Sequence, residues 1–405
     1  MWFQVVIALI VAVVAILMMV DFSGEETRPS DEQALLSSDI QEETHQVYVI
    51  GDLHGDVECA KHWVQRIGVV DNVEEPTKWL QPEASLVFMG DYIDKGPFSY
   101  QTMLFVKSLT DAFPERVIAL MGNHEMEVLK DRHPLRQPKY FNMPYAVIHP
   151  GEFTNFVLER ELDETDDIVV DLLLNATLQV YSQRLQRSVL FAPESSVEGR
   201  LCIIDFVEDQ DKKHLVKERL TEYQHAYLSA FWSNTTLGKW VETLRVAHIQ
   251  NGVLFVHGGV DRGIASVLSS FDSIDALNDK VANNAGNHRF WEFLQGTTTG
   301  RAIEKMLFYR GNHDGDCHEL ASILQDLGVD RLAVGHTPDE NIRQLCGGQF
   351  LALDSLLGRW IRTSGNYYCP AQSRSRGNFA CPNLEADCQG QVVKIGKDTV
   401  QIIRA

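Results

Sequence analysis

Five short glycine-containing runs carry the side chains with the most chemistry in this sequence: Gly51-Asp52-Leu53-His54-Gly55-Asp56, Gly90-Asp91-Tyr92-Ile93-Asp94-Lys95-Gly96-Pro97, Gly122-Asn123-His124-Glu125, His257-Gly258-Gly259 and Gly335-His336-Thr337-Pro338. A sixth candidate position is Asp354. Asp, His and Asn supply oxygen and nitrogen donors that suit hard or borderline divalent cations, and the adjacent glycines let the backbone bend tightly beside an ion. So many donors imply two ions rather than one. A pair of cations about 3.5–4 Å apart can hold a bridging hydroxide for in-line attack on phosphorus and neutralise charge on the attacking and leaving oxygens. Such a pair needs a shared carboxylate, for which Asp91 is the natural choice.

The elements that must position these residues repeat one arrangement. A β-prone run precedes each loop: Val47–Ile50, Ser85–Met89, Val117–Met121, Val253–Val256, Leu332–Val334 and Phe350–Leu353. Stretches with helical spacing follow, as where Val57, Ala60, Val64 and Ile67 share one face of a helix. Strands alternating with helices imply an α/β layered fold, and the loops of such folds bind ligands beyond the carboxyl ends of the strands. All six loops are therefore expected to converge on one site.

In this order, GDLHGD, GDYIDKG, GNHE, VHGG and VGHTP resemble the motifs of calcineurin-like metallophosphoesterases and, more narrowly, of the phosphoprotein phosphatase family. Tyr309–Gly311 and the LDSLLGRW run after Phe350 resemble its bacterial-like, Shewanella-like branch. The resemblance implies a layered αββα sandwich over residues 47–365, interrupted by a helical cap-like insertion at 126–250. It also implies that Asp52 and His54 hold the first metal, that Asp91 bridges, and that Asn123, His257 and His336 complete the second metal. His124 would be the general acid, oriented by Asp94, because a positioned imidazolium protonates the leaving oxygen. Arg310 resembles a phosphate-clamping arginine, whose planar fork meets two phosphate oxygens. Lys95 departs from the pattern, since the family usually places arginine there; lysine keeps the charge and loses the fork. The implied cofactors are two divalent ions, manganese first, with iron or zinc as alternatives.

Some residues have plainer readings. Gly311-Asn312-His313-Asp314 also looks like the GNHD/E signature, but it lies out of order and reads as a loop on the substrate rim. Arg310 alone could equally be a surface or salt-bridging arginine. Cys59 and Cys202 sit among apolar residues, where buried free thiols are the expectation. The insertion reads either as a solvated cap or as a lid that selects the phosphate carrier.

Composition sets the frame. The chain has 405 residues, with 36 Lys+Arg against 56 Asp+Glu and a formal charge of −20, which argues against nucleic acid as a partner. Residues 1–20 carry no charge and are long enough to cross a bilayer, so they read as one N-terminal transmembrane helix, a cleaved signal peptide being the rival. Residues 21–46 hold many acids and read as a flexible acidic linker. Residues 366–405 read as a Cys-containing extension ending in short strands. Four of the seven cysteines, Cys346, Cys369, Cys381 and Cys388, crowd the end of the chain and predict disulfides among themselves. With the sequons at Asn175 and Asn234 they favour a lumenal or extracellular body over a cytosolic one, although the lone Arg28 after the helix points the other way. The leading expectation is a membrane-tethered phosphomonoester hydrolase, most simply a protein phosphatase. A nucleotide or other small-phosphate hydrolase and a non-catalytic module that docks phosphorylated partners are the alternatives. Oligomeric state leaves no mark on the sequence.

Overall fold

Alternation along the first strand sets the layering. Val47 and Val49 point into one apolar layer while Tyr48 and Ile50 point into another, the two-residue period of a strand buried on both faces. The same split recurs in Val253 and Phe255 against Leu254 and Val256, and in Leu351 against Phe350 and Ala352. Side chains of the first kind meet across two sheets, and those of the second kind lie under helices. The structure is a computed structural model that describes residues 45–133, 154–158, 160–186, 207, 209–286, 289–359 and 388–405.

In chain order the elements are β1 (Gln46–Ile50), α1 (Val57–Ile67), β2 (Ala84–Phe88), α2 (Ser99–Ala112), β3 (Val117–Ala119) and α3 (Asn123–Asp131). The segment between α3 and β4, where a cap is expected, contributes α4 (Glu164–Gln186), α5 (Gln210–Ala230) and α6 (Thr236–Glu242). There follow β4 (Ala247–Gln250), β5 (Val253–Val256), α7 (Arg262–Leu268), α8 (Ile274–Ala285), α9 (Phe290–Gly296), α10 (Thr298–Phe308) and α11 (Cys317–Leu327). The chain closes with β6 (Arg331–Val334), β7 (Arg343–Leu345), β8 (Phe350–Ala352), β9 (Gln391–Ile395) and β10 (Val400–Arg404). One sheet has the order β10-β9-β1-β2-β3 and the other β4-β5-β6-β8-β7. Strands β1, β2 and β3 are mutually parallel, as are β5, β6 and β8, so each sheet sends three carboxyl ends the same way. This is a mixed α/β sheet sandwich, and those six strands lead into the six loops singled out above.

The end of the chain is built into this frame. Strand β9 pairs antiparallel with β1, Val49 opposite Val393 and Val47 opposite Ile395. Val392, Val393 and Ile395 are buried, so apolar packing holds the hairpin in place. The disulfides differ from expectation. They join Cys59 to Cys388 and Cys317 to Cys346, so neither Cys346 nor Cys388 pairs within the C-terminal group, and Cys59 is not a free thiol. Each bridge links a crowded C-terminal cysteine to a distant helix, α1 or α11, because the tail returns along β1 and the β7–β8 turn lies beside α11. Cys202, Cys369 and Cys381 lie outside the described residues, as do the apolar segment 1–20 and the acidic stretch after it up to residue 44. Among the described residues no helix is long and apolar enough to cross a membrane.

The cap region docks through aromatic side chains. Phe156 lies edge-on to Tyr227 and Tyr100 at centroid distances of 4.8 and 5.2 Å, an arrangement aromatic quadrupoles favour. Arg132, just after α3, donates to the carbonyls of Phe231 and Gly238 at 2.7 and 3.0 Å and pairs with Glu242 on α6. Within the cap, Arg160 donates to both oxygens of the buried Asp166, which also receives the Tyr223 hydroxyl.

Candidate metal centre

Local backbone geometry delivers the donors. His54, Asp91, Asp94, Lys95 and His336 all have positive φ, between 43° and 68°, a region that costs a non-glycine residue of order 1–3 kcal/mol. Five such residues in one place require firm support, and Glu125 gives much of it. Its Oε2 accepts from the backbone N–H groups of Asp91 and Gly122, both at 2.9 Å, and its Oε1 from that of Tyr92 at 2.8 Å. Burial, with the charge of Asp91, pushes the Glu125 carboxyl up to about 7. Two glycines are obligatory for close approach: a Cβ on Gly122 would lie 2.1 Å from Asp91 Oδ1, and one on Gly335 2.3 Å from Asp52 Oδ1.

Asp91 lies at the centre. Its Oδ2 is 3.6 Å from His54 Nε2 and 3.7 Å from His124 Nε2, and its Oδ1 is 3.2 Å from His257 Nε2. His257 Nε2 also lies 3.1 Å from Asn123 Oδ1, while its Nδ1 faces the Met89 carbonyl at 2.8 Å. The Asp52 carboxylate sits 3.8 Å from His54 Nε2 and accepts the His336 backbone N–H at 3.0 Å. All six positions expected to ligate therefore surround one buried pocket of donors. Two overlapping groups have the spacing to hold an ion, His54–Asp91–His124 and Asp91–His257–His336, and Asp91 belongs to both.

Charges in the site are strongly biased. Burial, helped by Asp354, pushes the Asp52 carboxyl well above the ordinary range. Burial also works against Asp91, but the His257 and His124 imidazoles hold its carboxyl well below the usual value. For His257 the desolvation cost is outweighed by Asp91 and Asp52, and the imidazole is pushed up to about 9. Burial keeps His54 and His336 neutral, aided by Lys95 at the first and by His257 and Arg310 at the second. The His336 Nε2 atom is buried with no hydrogen-bond partner in the structure. A buried unsatisfied nitrogen is costly, and a neutral imidazole aimed among carboxylates is the form a cation takes as ligand. The donor set and this orphaned nitrogen both fit divalent cations.

Beside the donors stands a dyad. His124 Nδ1 lies 2.5 Å from Asp94 Oδ2, so Nε2 is the ring atom left to face Asp91. Lys95 reaches into the site as well, its Nζ 2.9 Å from His54 Nε2. Arg310 stands on the rim, its Nη1 donating to the His336 carbonyl and to Thr337 Oγ1, both at 2.9 Å. The second GNHD-like run, expected as a loop on the substrate rim, makes structural contacts. Asn312 clamps the backbone of Val260 in both directions, at 2.8 and 2.9 Å, and His313 packs edge-on against Phe350.

Nothing in the sequence assigns a role to Glu125 or Arg359, and Asp354, a candidate by its place at a strand end, is buried beside Asp52. Arg359, inside the LDSLLGRW run, grips Asp56 through Nε at 2.8 Å and Nη2 at 2.7 Å and so fastens the first loop to the end of β8. A buried Asp in the loop and an Arg in that run were the available signals; their pairing was not.

Comparison with known proteins agrees with this geometry. Residues 45–191 match the family model described as Calcineurin-like phosphoesterase, and this segment, which carries Asp52, His54, Asp91, Asp94, Asn123 and His124, belongs to the calcineurin-like metallophosphoesterases. An uncharacterised protein of Schizosaccharomyces pombe is 25% identical over 363 residues, covering 86% of this chain and 82% of its own. A cold-active protein-tyrosine phosphatase from a psychrophilic Shewanella species shares the fold, with a TM-score of 0.52 and 16% identity over 89% of this chain and 80% of that one. Another structure of a cold-active protein tyrosine phosphatase matches with a TM-score of 0.50 and 16% identity, covering 89% of this chain and 78% of its own.

Proposed function

We propose that this protein is a phosphomonoester hydrolase of the phosphoprotein phosphatase type, using two divalent cations, with phosphorylated protein as substrate. The observation that carries the reading is the arrangement around Asp91: donors on both of its oxygens, and a His124–Asp94 dyad at its side. Asp52, His54 and Asp91 would hold one ion, and Asp91, Asn123, His257 and His336 the other. When bound, the ions supply Lewis acidity and an activated water. The chain's own groups do the rest. Asp94 fixes Nδ1 of His124, leaving Nε2 to give its proton to the departing oxygen. Arg310 and Lys95 place positive charge where phosphate oxygens would lie, Arg310 from the rim and Lys95 from within the site.

Manganese-dependent turnover of an aryl phosphate tests the reading directly. Asp91→Asn should abolish both turnover and metal retention, Asp52→Asn and His257→Ala should lower metal occupancy, and His124→Asn should lower kcat with metal content near wild type. Absence of turnover with every divalent metal would refute it. Profiling phosphoserine, phosphothreonine and phosphotyrosine peptides beside nucleotides then assigns the substrate. The fold shared with protein-tyrosine phosphatases makes phosphotyrosine an essential arm of that panel.

The same proposal includes the surroundings. Residues 1–20 would anchor the chain in a membrane with the body on the lumenal or outer side. Two disulfides and the exposure of both Asn175 and Asn234 support that side, since such bridges persist in oxidising compartments.

A further inference from the structure

The oxygen of Asp94 that does not face His124 is engaged by the cap. Tyr227 lies on α5, more than 100 residues beyond GNHE, and its hydroxyl donates to Asp94 Oδ1 at 3.2 Å. The two carboxylate oxygens thus divide their partners: Oδ2 faces His124 Nδ1 at 2.5 Å, and Oδ1 receives the tyrosine. Asp94 and Tyr227 are fully buried. The aspartate backbone is pinned too, its N–H donating to Ser99 Oγ at 2.8 Å while φ stands at 68°. The Tyr227 ring is wedged between Phe156 and Phe231, at centroid distances of 4.8 and 5.2 Å.

We infer that Tyr227 is a positioning residue for the general acid, so that the cap helps to set the aim of His124 and is more than a cover. A carboxylate can rotate about its terminal torsion at little cost. A donor on Oδ1 fixes that rotation and keeps Oδ2 trained on Nδ1, which in turn holds Nε2 toward the leaving oxygen. No proton leaves Tyr227; the proton delivered comes from His124, and Asp94 remains a hydrogen-bond acceptor throughout. The inference deepens the proposed function and rests on its assignment of His124.

The test uses the full chain loaded with manganese and compares Tyr227→Phe, which keeps the ring in its aromatic cluster, with His124→Asn and Asp94→Asn. General acid catalysis matters most for poor leaving groups. Against an alkyl phosphate such as a phosphoserine peptide, Tyr227→Phe should lower kcat about 10-fold, part of the ~10²–10⁴-fold worth of a general acid. With 2,4-dinitrophenyl phosphate, whose leaving group needs no proton, the loss should stay under about twofold. KM and metal content should match wild type, and Tyr227→Phe should add nothing to the loss of kcat in the Asp94→Asn background. As a readout independent of turnover, made on the protein loaded with diamagnetic zinc in place of manganese, the downfield Nδ1 proton resonance that His124→Asn removes should shift in Tyr227→Phe. Equal losses with both leaving groups, additivity with Asp94→Asn, or no loss at all would overturn the inference while leaving the function intact, provided His124→Asn shows the leaving-group dependence. If His124→Asn shows none, the general-acid assignment falls and this inference with it.

Discussion

Replacing Arg359 by Met should destabilise the protein and loosen its first metal-binding loop together. The Arg359 side chain is 5% exposed and that of Asp56 2%. Among the described residues the variant forfeits two side-chain hydrogen bonds to Asp56, at 2.8 and 2.7 Å, and one to Glu58 at 2.6 Å. Glu58 is largely exposed, so its pairing contributes little once solvent screening is counted. Asp56 is the term that matters, because removing one partner of a buried pair costs about 3–5 kcal/mol. Two backbone donors remain to it, from Cys59 at 3.2 Å and from residue 359 itself at 3.0 Å, which places the expected loss near the lower end, about 3 kcal/mol. Urea unfolding followed by tryptophan fluorescence, with disulfides intact, measures it. The double variant Arg359→Met with Asp56→Asn should recover part of the loss, since the uncompensated charge is gone. Metal retention should fall in the single variant as well, because Asp56 caps α1 and ends the loop that carries Asp52 and His54. A cost below about 1 kcal/mol, or a double variant worse than the sum of its parts, would refute this account of the pair.

Lys95→Ala should impair turnover while Lys95→Arg is neutral or better, because arginine restores a fork to the phosphate; equal activity in all three forms would move the phosphate contact to Arg310. In the cap, burial opposes ionisation of Asp166, but hydrogen bonds from Arg160 and Tyr223 hold its carboxyl far below the ordinary value. A depressed folded-state pKa means that the stabilisation is complete above the unfolded value of about 4 and fades as pH falls below it. Asp166→Asn should therefore cost about 2 kcal/mol at pH 6 and markedly less at pH 3, read as the gap between wild-type and variant thermal midpoints. Thiol alkylation under non-reducing conditions should leave Cys59, Cys317, Cys346 and Cys388 unlabelled, and a glycosidase should shift the mobility of protein carrying glycans at Asn175 or Asn234. Full labelling of all seven cysteines with no mobility shift would place the body in the cytosol.

What could be read from the sequence was local. Each metal-site donor follows its strand within a few residues, so strand, turn and donor form one signal, and the six loops could be found singly and joined by the direction of the strands. Even the strained conformations at His54, Asp91 and His336 were foreshadowed by their glycine neighbours. What stayed hidden depends on residues far apart in the chain. Cys59 and Cys388 are separated by 329 positions, and nothing near either one marks the other. Tyr227 bears no mark in the sequence around it, because the contact that distinguishes it is made to a loop formed over 130 residues earlier. The residues that seat the tail, Val392, Val393 and Ile395, are buried against strands and helices made hundreds of residues earlier.

The pairing of β9 with β1 also bears on how the protein comes to be made. Strand β1 leads straight into Asp52 and His54, yet its neighbour on one side is β2 and on the other a strand that starts at Gln391. A ribosome therefore delivers the loop that carries Asp52 and His54 long before the strand that pairs with the far side of β1. Throughout that interval the outer edge of β1, with its buried-type residues Val47 and Val49, is open to pairing with the wrong chain. The Cys59–Cys388 bridge then ties α1, the helix that follows β1, to the chain just ahead of β9, so that the late strand is held covalently to the loop region that was made first.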